Sequence, residues 1–119
     1  MAKSYRELTV WQKGMDLVVE IYRMTNSFPK DELYGLTSQM RRAAVSVPSN
    51  IAEGHAQGTD NHFARYLSIS QGSLKELETQ VLIAQRLGYV DQETTQPVLS
   101  QCDEIGKMIT GLQKTLKRS

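Results

Sequence analysis

Apolar residues recur every three or four positions in four separate stretches of the 119-residue chain. This spacing places them on one side of an α-helix, and no stretch shows the two-residue alternation of a half-buried strand. The connections between the four stretches are short, which favours neighbouring helices that run antiparallel. The chain is therefore predicted to be all-α, a single domain over residues 1–119 folded as an antiparallel up-down four-helix bundle.

The first predicted helix is apolar over an unusually wide arc. Its apolar residues form two adjacent rows, which are Leu8, Trp11, Met15, Val18 and Tyr22, and Val10, Leu17, Ile21 and Met24. Packing against one core needs only one such row. Part of this arc is therefore expected to face another subunit, and Trp11 and Tyr22 are interpreted as core or subunit contacts rather than as surfaces that stack on bases.

The second predicted helix begins after Asp31 or Thr37 and contains Pro48. An interior proline removes one backbone hydrogen bond and crowds the preceding turn, so a kink is predicted at Pro48. The alternative is a new helix start, because Asn50 followed by Glu53 matches a loose capping box. One kinked helix is the favoured interpretation.

The boundaries of the third and fourth helices are marked by turn and cap residues. A polar turn is predicted from residue 54 to 61, with Thr59 or Asp60 as the N-cap of the third helix. Gly88 is expected to end that helix, and Asp91 is expected to cap the fourth. The predicted core-facing residues are Phe63, Leu67, Ser70, Leu74, Leu77, Val81 and Ala84, followed by Val98, Cys102, Ile105, Ile109, Leu112 and Leu116.

Composition excludes several classes of protein. Fourteen Lys and Arg against thirteen Asp and Glu give a formal net charge of +1, far from that of a strongly basic nucleic-acid domain. No stretch is long and apolar enough to span a membrane, and the single cysteine cannot form an internal disulfide. The first residues also lack the layout of a secretory signal. A cytoplasmic protein without membrane contact is expected.

Several short motifs run in order through nearly the whole chain. They are LTVWQK at residues 8–13, Phe28-Pro29, ELYGLTSQ at residues 32–39, RRAAVSVPSNIAEG at residues 41–54, and Gly72-Ser73 with Glu76-Leu77-Glu78. With these motifs, the chain resembles the four-helix bundle family that includes the protein encoded in intervening sequences of bacterial 23S ribosomal RNA genes. Each motif is short, but their combination in this order is specific.

The resemblance implies a homo-oligomer, specifically a pentameric ring similar to the accessory protein of diversity-generating retroelements. That accessory protein binds nucleic acid and a reverse transcriptase. The implied partners are therefore further copies of the chain, RNA or DNA, and a reverse transcriptase or the ribosome. The expected function is that of a non-catalytic, nucleic-acid-associated accessory protein. The alternative is a protein-binding scaffold without nucleic-acid affinity, which the nearly neutral charge favours.

A polar stripe follows one face of the second predicted helix. It is interpreted either as a binding groove or, preferably, as a buried hydrogen-bonded network with the third helix. A buried network requires Arg42 to pair with Glu53 or Glu76, because charged side chains are seldom buried alone. Arg42→Ala is then expected to destabilise the fold severely. The stripe consists of Gln39, Arg42, Ser46, Asn50 and Glu53, and its expected partners are Ser70, Ser73 and Glu76.

The end of the chain is locally basic, since no acidic residue follows Glu104. These cations are candidate phosphate ligands, and the alternative is an ordinary solvated helix end that complements the helix dipole. Arg41 is a further candidate, because a planar guanidinium suits bidentate phosphate contacts. The cations of the basic end are Lys107, Lys114, Lys117 and Arg118.

No catalytic, metal or cofactor site is predicted. His55 and His62 are seven residues apart, and no Cys or carboxylate lies at the spacing of a metal site. Ser49, His55 and Asp60 include the residue types of a hydrolase triad, but the strained strand-to-helix turn that presents such a serine is missing. The Gly-Lys-Ser/Thr ending of a phosphate-binding loop is missing as well.

Overall fold

Four α-helices make up most of residues 3–117, the part of the chain that the computed structural model describes. Each helix packs against the next, and α1 also packs against α4, so that the four surround one core. Two short 3-10 turns precede α1 and α2, and residues 3–117 contain no strand. The all-α four-helix bundle is therefore confirmed. The helices are α1 (Thr9–Thr25), α2 (Leu36–Ala56), α3 (Asp60–Arg86) and α4 (Gln92–Lys117).

Contacts between neighbouring helices show that they run antiparallel. The side-chain amide of Gln71 in α3 donates to the carbonyl of Gly106 in α4 at 3.0 Å, and that of Gln113 donates to the carbonyl of Ala64 at 3.4 Å. Residue numbers therefore rise along α3 as they fall along α4. The same reversal relates α1 to α2 and α2 to α3.

The core buries one of the two apolar rows of α1 and leaves the other partly at the surface. The row that contains Leu17 and Ile21 is buried, whereas Met15 and Tyr22 of the other row are 43% and 44% exposed. The stripes predicted for α3 and α4 are buried as expected, apart from Leu112 and Leu116, which are half-buried near the end of α4. None of the helices in residues 3–117 has the length and hydropathy to cross a bilayer.

The start of α2 differs from the prediction. Neither Asp31 nor Thr37 caps this helix, which begins at Leu36 after an uncapped Gly35. The backbone amide of Leu36 instead donates to a carboxylate oxygen of Glu32 at 3.1 Å. A carboxylate in the preceding turn therefore supplies the acceptor that an N-cap side chain usually provides.

The helix α2 continues through Pro48 without interruption, so one helix rather than two is confirmed. The Pro48 ring is buried against α1 at Gly14, where an added Cβ would lie 3.3 Å from the Cβ of Pro48. Glycine at this position allows the two helices to approach closely. The kink at Pro48 is not confirmed and stays a prediction.

The connection between α2 and α3 is shorter than predicted. The expected turn from residue 54 to 61 is reduced to residues 57–59, and Gly54 lies buried in the last turns of α2. A Cβ on Gly54 would lie 2.5 Å from the Cβ of Tyr66 and 3.3 Å from a ring carbon of Phe63. Gly54 therefore permits a close helix contact instead of a turn. Thr59 is confirmed as the N-cap of α3, because its hydroxyl accepts from the amide of His62 at 3.2 Å.

Gly88 ends α3 through a Schellman motif. Its φ is +78°, its amide donates to Gln85 at 3.0 Å, and the amide of Tyr89 donates to Ala84 at 3.0 Å. The side chain of Asp91 accepts from the amide of Thr94 at 2.9 Å and so caps α4. Both predicted boundaries are confirmed.

One side-chain hydrogen bond joins the two connections at this end of the bundle. The Tyr89 hydroxyl donates to the Glu32 carboxylate at 2.8 Å. This bond and the one from the Leu36 amide lower the pKa of Glu32, and the carboxylate in turn raises the pKa of Tyr89. The pair therefore stabilises the fold while Glu32 is ionised and Tyr89 is neutral.

The close approach at Gly54 predicts that Gly54→Ala destabilises the protein by about 1–3 kcal/mol, because Tyr66 must move to admit the methyl group. The matched control is Gly72→Ala, since Gly72 lies inside α3 with nothing within 4 Å of an added Cβ. The control is expected to gain up to about 1 kcal/mol from helix propensity. Urea unfolding measures both, and a Gly54→Ala protein as stable as wild type would contradict the contact.

The bond between Tyr89 and Glu32 predicts a pH-dependent effect of Tyr89→Phe. Because the pKa of Glu32 is lowered, its contribution is present above its ordinary pKa of about 4.3 and is lost as the pH falls below that value. The variant is therefore expected to unfold more easily than wild type at pH 7, with a difference that shrinks between about pH 5 and pH 3. Tyr34→Phe, at a side chain that is 94% exposed, is the control and should show no such trend.

Candidate functional site

A shallow groove between α3 and α4 brings three lysines together. Lys107 and Lys114 of α4 line it with Lys75 of α3, and its volume is about 520 Å³. Gly106 and Gly111 also line the groove. We call this the cationic groove. Two of the four cations predicted at the end of the chain therefore share one concave surface with a third that was not predicted.

The lysines of the cationic groove differ in their partners. Lys107 pairs with Asp103 at 3.1 Å, and Lys75 pairs with Glu78 at 3.4 Å. Lys114 makes no ion pair with any residue between 3 and 117. Exposed ion pairs contribute little free energy, so Lys107 and Lys75 can release their carboxylates when a stronger anion arrives.

The remaining predicted phosphate ligands lie elsewhere. Lys117 is exposed at the last turn of α4 and does not line the cationic groove. Arg118 lies outside the described residues. Arg41 is half-buried, its Nε donates to the hydroxyl of Thr25 at 2.9 Å, and its guanidinium lies 4.5 Å from the centre of the Tyr22 ring. Arg41 therefore holds α2 against α1, although it also lines a surface groove.

Part of the predicted polar network exists between α2 and α3. The hydroxyls of Ser46 and Ser73 are 2.8 Å apart, and the amide of Asn50 donates to both the hydroxyl and the carbonyl of Ser46 at 2.8 Å. The buried hydroxyl of Ser70 donates to the carbonyl of Val47 at 2.5 Å. The bonds of Ser73 with Ser46 and of Ser70 with Val47 join the two helices, and those of Asn50 lie within α2.

The structure corrects the prediction for the outer part of the network. Gln39, Arg42, Glu53 and Glu76 are exposed, and within residues 3–117 Arg42 forms no ion pair with either glutamate. Glu53 accepts instead from the hydroxyl of Tyr66 at 3.4 Å. The prediction of a buried, paired Arg42 is wrong, because the charged side chains stay hydrated at the outer edge of the helix.

A second surface, the α1–α2 face, is apolar and exposed. It includes a groove of about 610 Å³ with Arg41 and Arg42 in its wall and no acidic side chain among the described residues that line it. Exposed apolar areas of this kind mark interaction surfaces in soluble proteins. Met15 and Tyr22 of the partly exposed row of α1 contribute to this face. Its exposed apolar residues are Met15, Val19, Tyr22, Leu33, Tyr34 and Val45.

A third surface was missed by sequence reasoning. Ile69 and Ile83 on α3 are each 44% exposed, and the exposed Glu76 lies between them at intervals of seven residues. We call Ile69, Glu76 and Ile83 the α3 row. The spacing of these residues, two helical turns, can be read from the sequence. The row lies beside the longer buried stripe of the same helix, and periodicity alone does not distinguish the two.

The described residues offer little acid-base or metal chemistry. Within residues 3–117, no three His, Cys, Asp or Glu side chains are grouped to hold a metal ion. The Cys102 thiol is buried, and this burial raises its pKa to about 12, so it is not a thiolate near neutral pH. The His62 ring contacts the hydroxyl of Thr59 at 2.8 Å, and the His55 ring packs edge-on against Phe63.

The fold and these surfaces define a small antiparallel four-helix bundle with a cationic groove and an exposed apolar face. The chain belongs to the 23S rRNA-intervening sequence protein family, whose model matches residues 6–111. It is also similar in structure to a protein of unknown function from the S23 ribosomal protein family of Bacteroides thetaiotaomicron VPI-5482.

The similarity to the Bacteroides thetaiotaomicron protein extends over nearly all of both chains. It covers 89% of this chain and 99% of the other, with a TM-score of 0.80 and 21% sequence identity. At this identity the likeness supports the fold alone. A search among curated proteins gives no significant match.

Two adjacent arginines provide a test of the α1–α2 contact. Arg41→Ala is expected to destabilise the protein by about 1–2 kcal/mol, because it removes a half-buried hydrogen bond and the contact with the Tyr22 ring. Arg42→Ala is expected to change stability by less than about 0.5 kcal/mol. Urea unfolding of dilute protein compares the two variants, and equal losses would show that Arg42 is held as firmly as Arg41.

Proposed function

We propose that this protein is a non-catalytic, homo-oligomeric accessory protein of the cytoplasm that contacts RNA or DNA through the end of α4. The observation that carries the proposal is the separation of charge on this helix. No acidic residue follows Glu104, and Lys114 and Lys117 make no ion pair within residues 3–117. Free cations of this kind are what phosphate groups bind.

The family description supports RNA as the first ligand to test, because it names 23S ribosomal RNA. A single copy carries a net charge of only +1, so its contact with a phosphate backbone is weak. Several copies in one assembly repeat the cationic groove, and linked weak contacts bind much more tightly than one. Self-association is therefore part of the proposed function. We propose five copies, following the resemblance to the retroelement accessory protein.

The alternative is a protein-binding scaffold without affinity for nucleic acid. The α1–α2 face favours it, because exposed Leu33, Tyr34 and Val45 are suited to a protein partner. A reverse transcriptase or a ribosomal component would be a partner of this kind. The two functions differ in their response to salt, since only phosphate contacts release counterions.

Removing the basic end of α4 is expected to abolish salt-sensitive binding. We predict that combined substitution of its four cations by Gln lowers the affinity for a structured RNA and flattens its dependence on salt. Each lost phosphate contact should reduce the slope of log K against log salt by about 0.9. Fluorescence anisotropy at several salt concentrations measures this. The substituted residues are Lys107, Lys114, Lys117 and Arg118.

The matched control removes four cations from other parts of the surface and so has the same net charge. It should keep the affinity and the salt slope of wild type. Equal losses of affinity in the two variants would show that binding depends on overall charge alone. If wild type and both variants fail to bind RNA at low salt, the scaffold is the better-supported function. The control substitutes Lys3, Lys30, Arg65 and Arg86 by Gln.

A further inference from the structure

The two exposed apolar surfaces of the bundle differ in charge. The α1–α2 face carries Arg41 and Arg42, with no carboxylate among the described residues lining its groove. The α3 row carries Glu76, and the residues one turn before and after it are uncharged: Gly72, Ser73, Thr79 and Gln80. The groove of the α1–α2 face is therefore apolar and cationic, and the centre of the α3 row is apolar and anionic, with the exposed Arg65 one turn before Ile69 at its end.

The side chains that carry these charges are available to a partner. Arg42 and Glu76 are both exposed, and neither forms an ion pair within residues 3–117. Arg42 lies close to the exposed Val45, and Glu76 lies close to the exposed Ile69 and Ile83. An apolar contact bordered by one pair of opposite charges is the usual composition of a specific protein interface.

The two surfaces lie on adjacent sides of the bundle. Ser73 contacts Ser46 of α2, and Ile69 and Glu76 are one turn before and after Ser73, so the α3 row borders α2 from the α3 side. The α1–α2 face borders α2 from the other side. The helix α2 therefore lies between the two surfaces.

We propose that the α1–α2 face of one copy of this chain packs on the α3 row of a second copy, with Arg42 beside the carboxylate of Glu76. The proposal rests on the self-association in the proposed function and specifies the surfaces that form it. Two different surfaces meet, so the contact is heterologous. Because they lie on adjacent sides of the bundle, each added copy is turned relative to the last, and such a series closes into a ring when the turns add up to one full rotation.

This arrangement keeps the nucleic-acid surface accessible. In such a ring α2 is nearest the axis, because it lies between the two contact surfaces. The helix α4 is diagonal to α2 across the core, since these two helices have no direct backbone approach. The cationic groove between α3 and α4 is then on the outside of the ring, repeated once in every copy.

Charge reversal tests the proposed contact. Arg42→Glu and Glu76→Arg are each expected to reduce the mass measured by light scattering to that of one 13.4 kDa chain, at a concentration where wild type is assembled. An equimolar mixture of the two variants is expected to regain an assembled mass. In an alternating series, the new carboxylate of one variant meets the new guanidinium of the other, and the wild-type pair of Arg42 and Glu76 forms at the next contact. A ring of five then has four matched contacts and one mismatched contact.

Recovery of the assembled mass on mixing requires contacts between chains. It therefore shows that the loss in each variant comes from the proposed interface and not from repulsion inside one chain. Glu93→Arg makes the same charge change as Glu76→Arg on an exposed residue of α4, outside both surfaces, and should keep the wild-type mass. Circular dichroism should show that all variants are folded, because Arg42 and Glu76 have no ion-pair partner to lose within residues 3–117.

The outcomes distinguish the two proposals. If wild type is assembled but the reversed variants keep its mass, or if mixing them restores nothing, the interface is overturned and self-association stands. A wild type that is monomeric at high concentration overturns the interface and the homo-oligomer of the proposed function together.

Discussion

The helix α2 lies so close to both of its neighbours in the chain that an added methyl group would be crowded at two glycines. Gly14 of α1 faces the ring of Pro48, and Gly54 of α2 faces Tyr66 of α3. Tight packing of this kind fixes the rotation of a helix about its own axis, because any turn would bring a Cβ atom into the gap. The exposed and buried sides of α2 follow from these two contacts.

The same closeness brings polar groups on α2 and α3 within hydrogen-bond distance near the proline. Pro48 has no amide hydrogen to donate to the carbonyl one turn earlier, which weakens the helix at that point. Around it, the side chains of Ser70 and Asn50 donate to the carbonyls of Val47 and Ser46. Ser70 therefore joins α3 to the part of α2 where the regular backbone ladder is interrupted, and Asn50 adds a contact within α2.

Features set by local chemistry could be predicted from the sequence, and features set by contacts between helices could not. Thr59, Gly88 and Asp91 were identified as caps because each satisfies backbone groups only a few residues away. Gly54 was assigned to a turn because glycine usually interrupts helices, and only the position of Tyr66 shows why α2 needs it.

The candidate surfaces show the same limit. Periodicity placed Gln39, Arg42 and Ser46 on one stripe, but it could not give the depth of each side chain, which depends on how α2 is rotated towards α3. Of these three, Ser46 reaches a partner on α3, and further along the stripe Glu53 does so through Tyr66. From the sequence, either apolar row of α1 could have faced the core. The contact of Gly14 with Pro48 turns the row that contains Leu17 towards the core.

The net charge of +1 conceals a separation of charge among the sides of the bundle. Lys13 pairs with Glu104 between α1 and α4 at 3.3 Å, and Asp16 and Glu20 lie on the same side of α1, so carboxylates collect there. The cationic groove lies where α4 meets α3. Screening at physiological salt limits electrostatic interactions to about 8 Å. A phosphate group near Lys114 therefore responds to the lysines and the single carboxylate of the groove, Asp103, more than to the carboxylates of α1, and a nearly neutral chain can still present a local surface for nucleic acid.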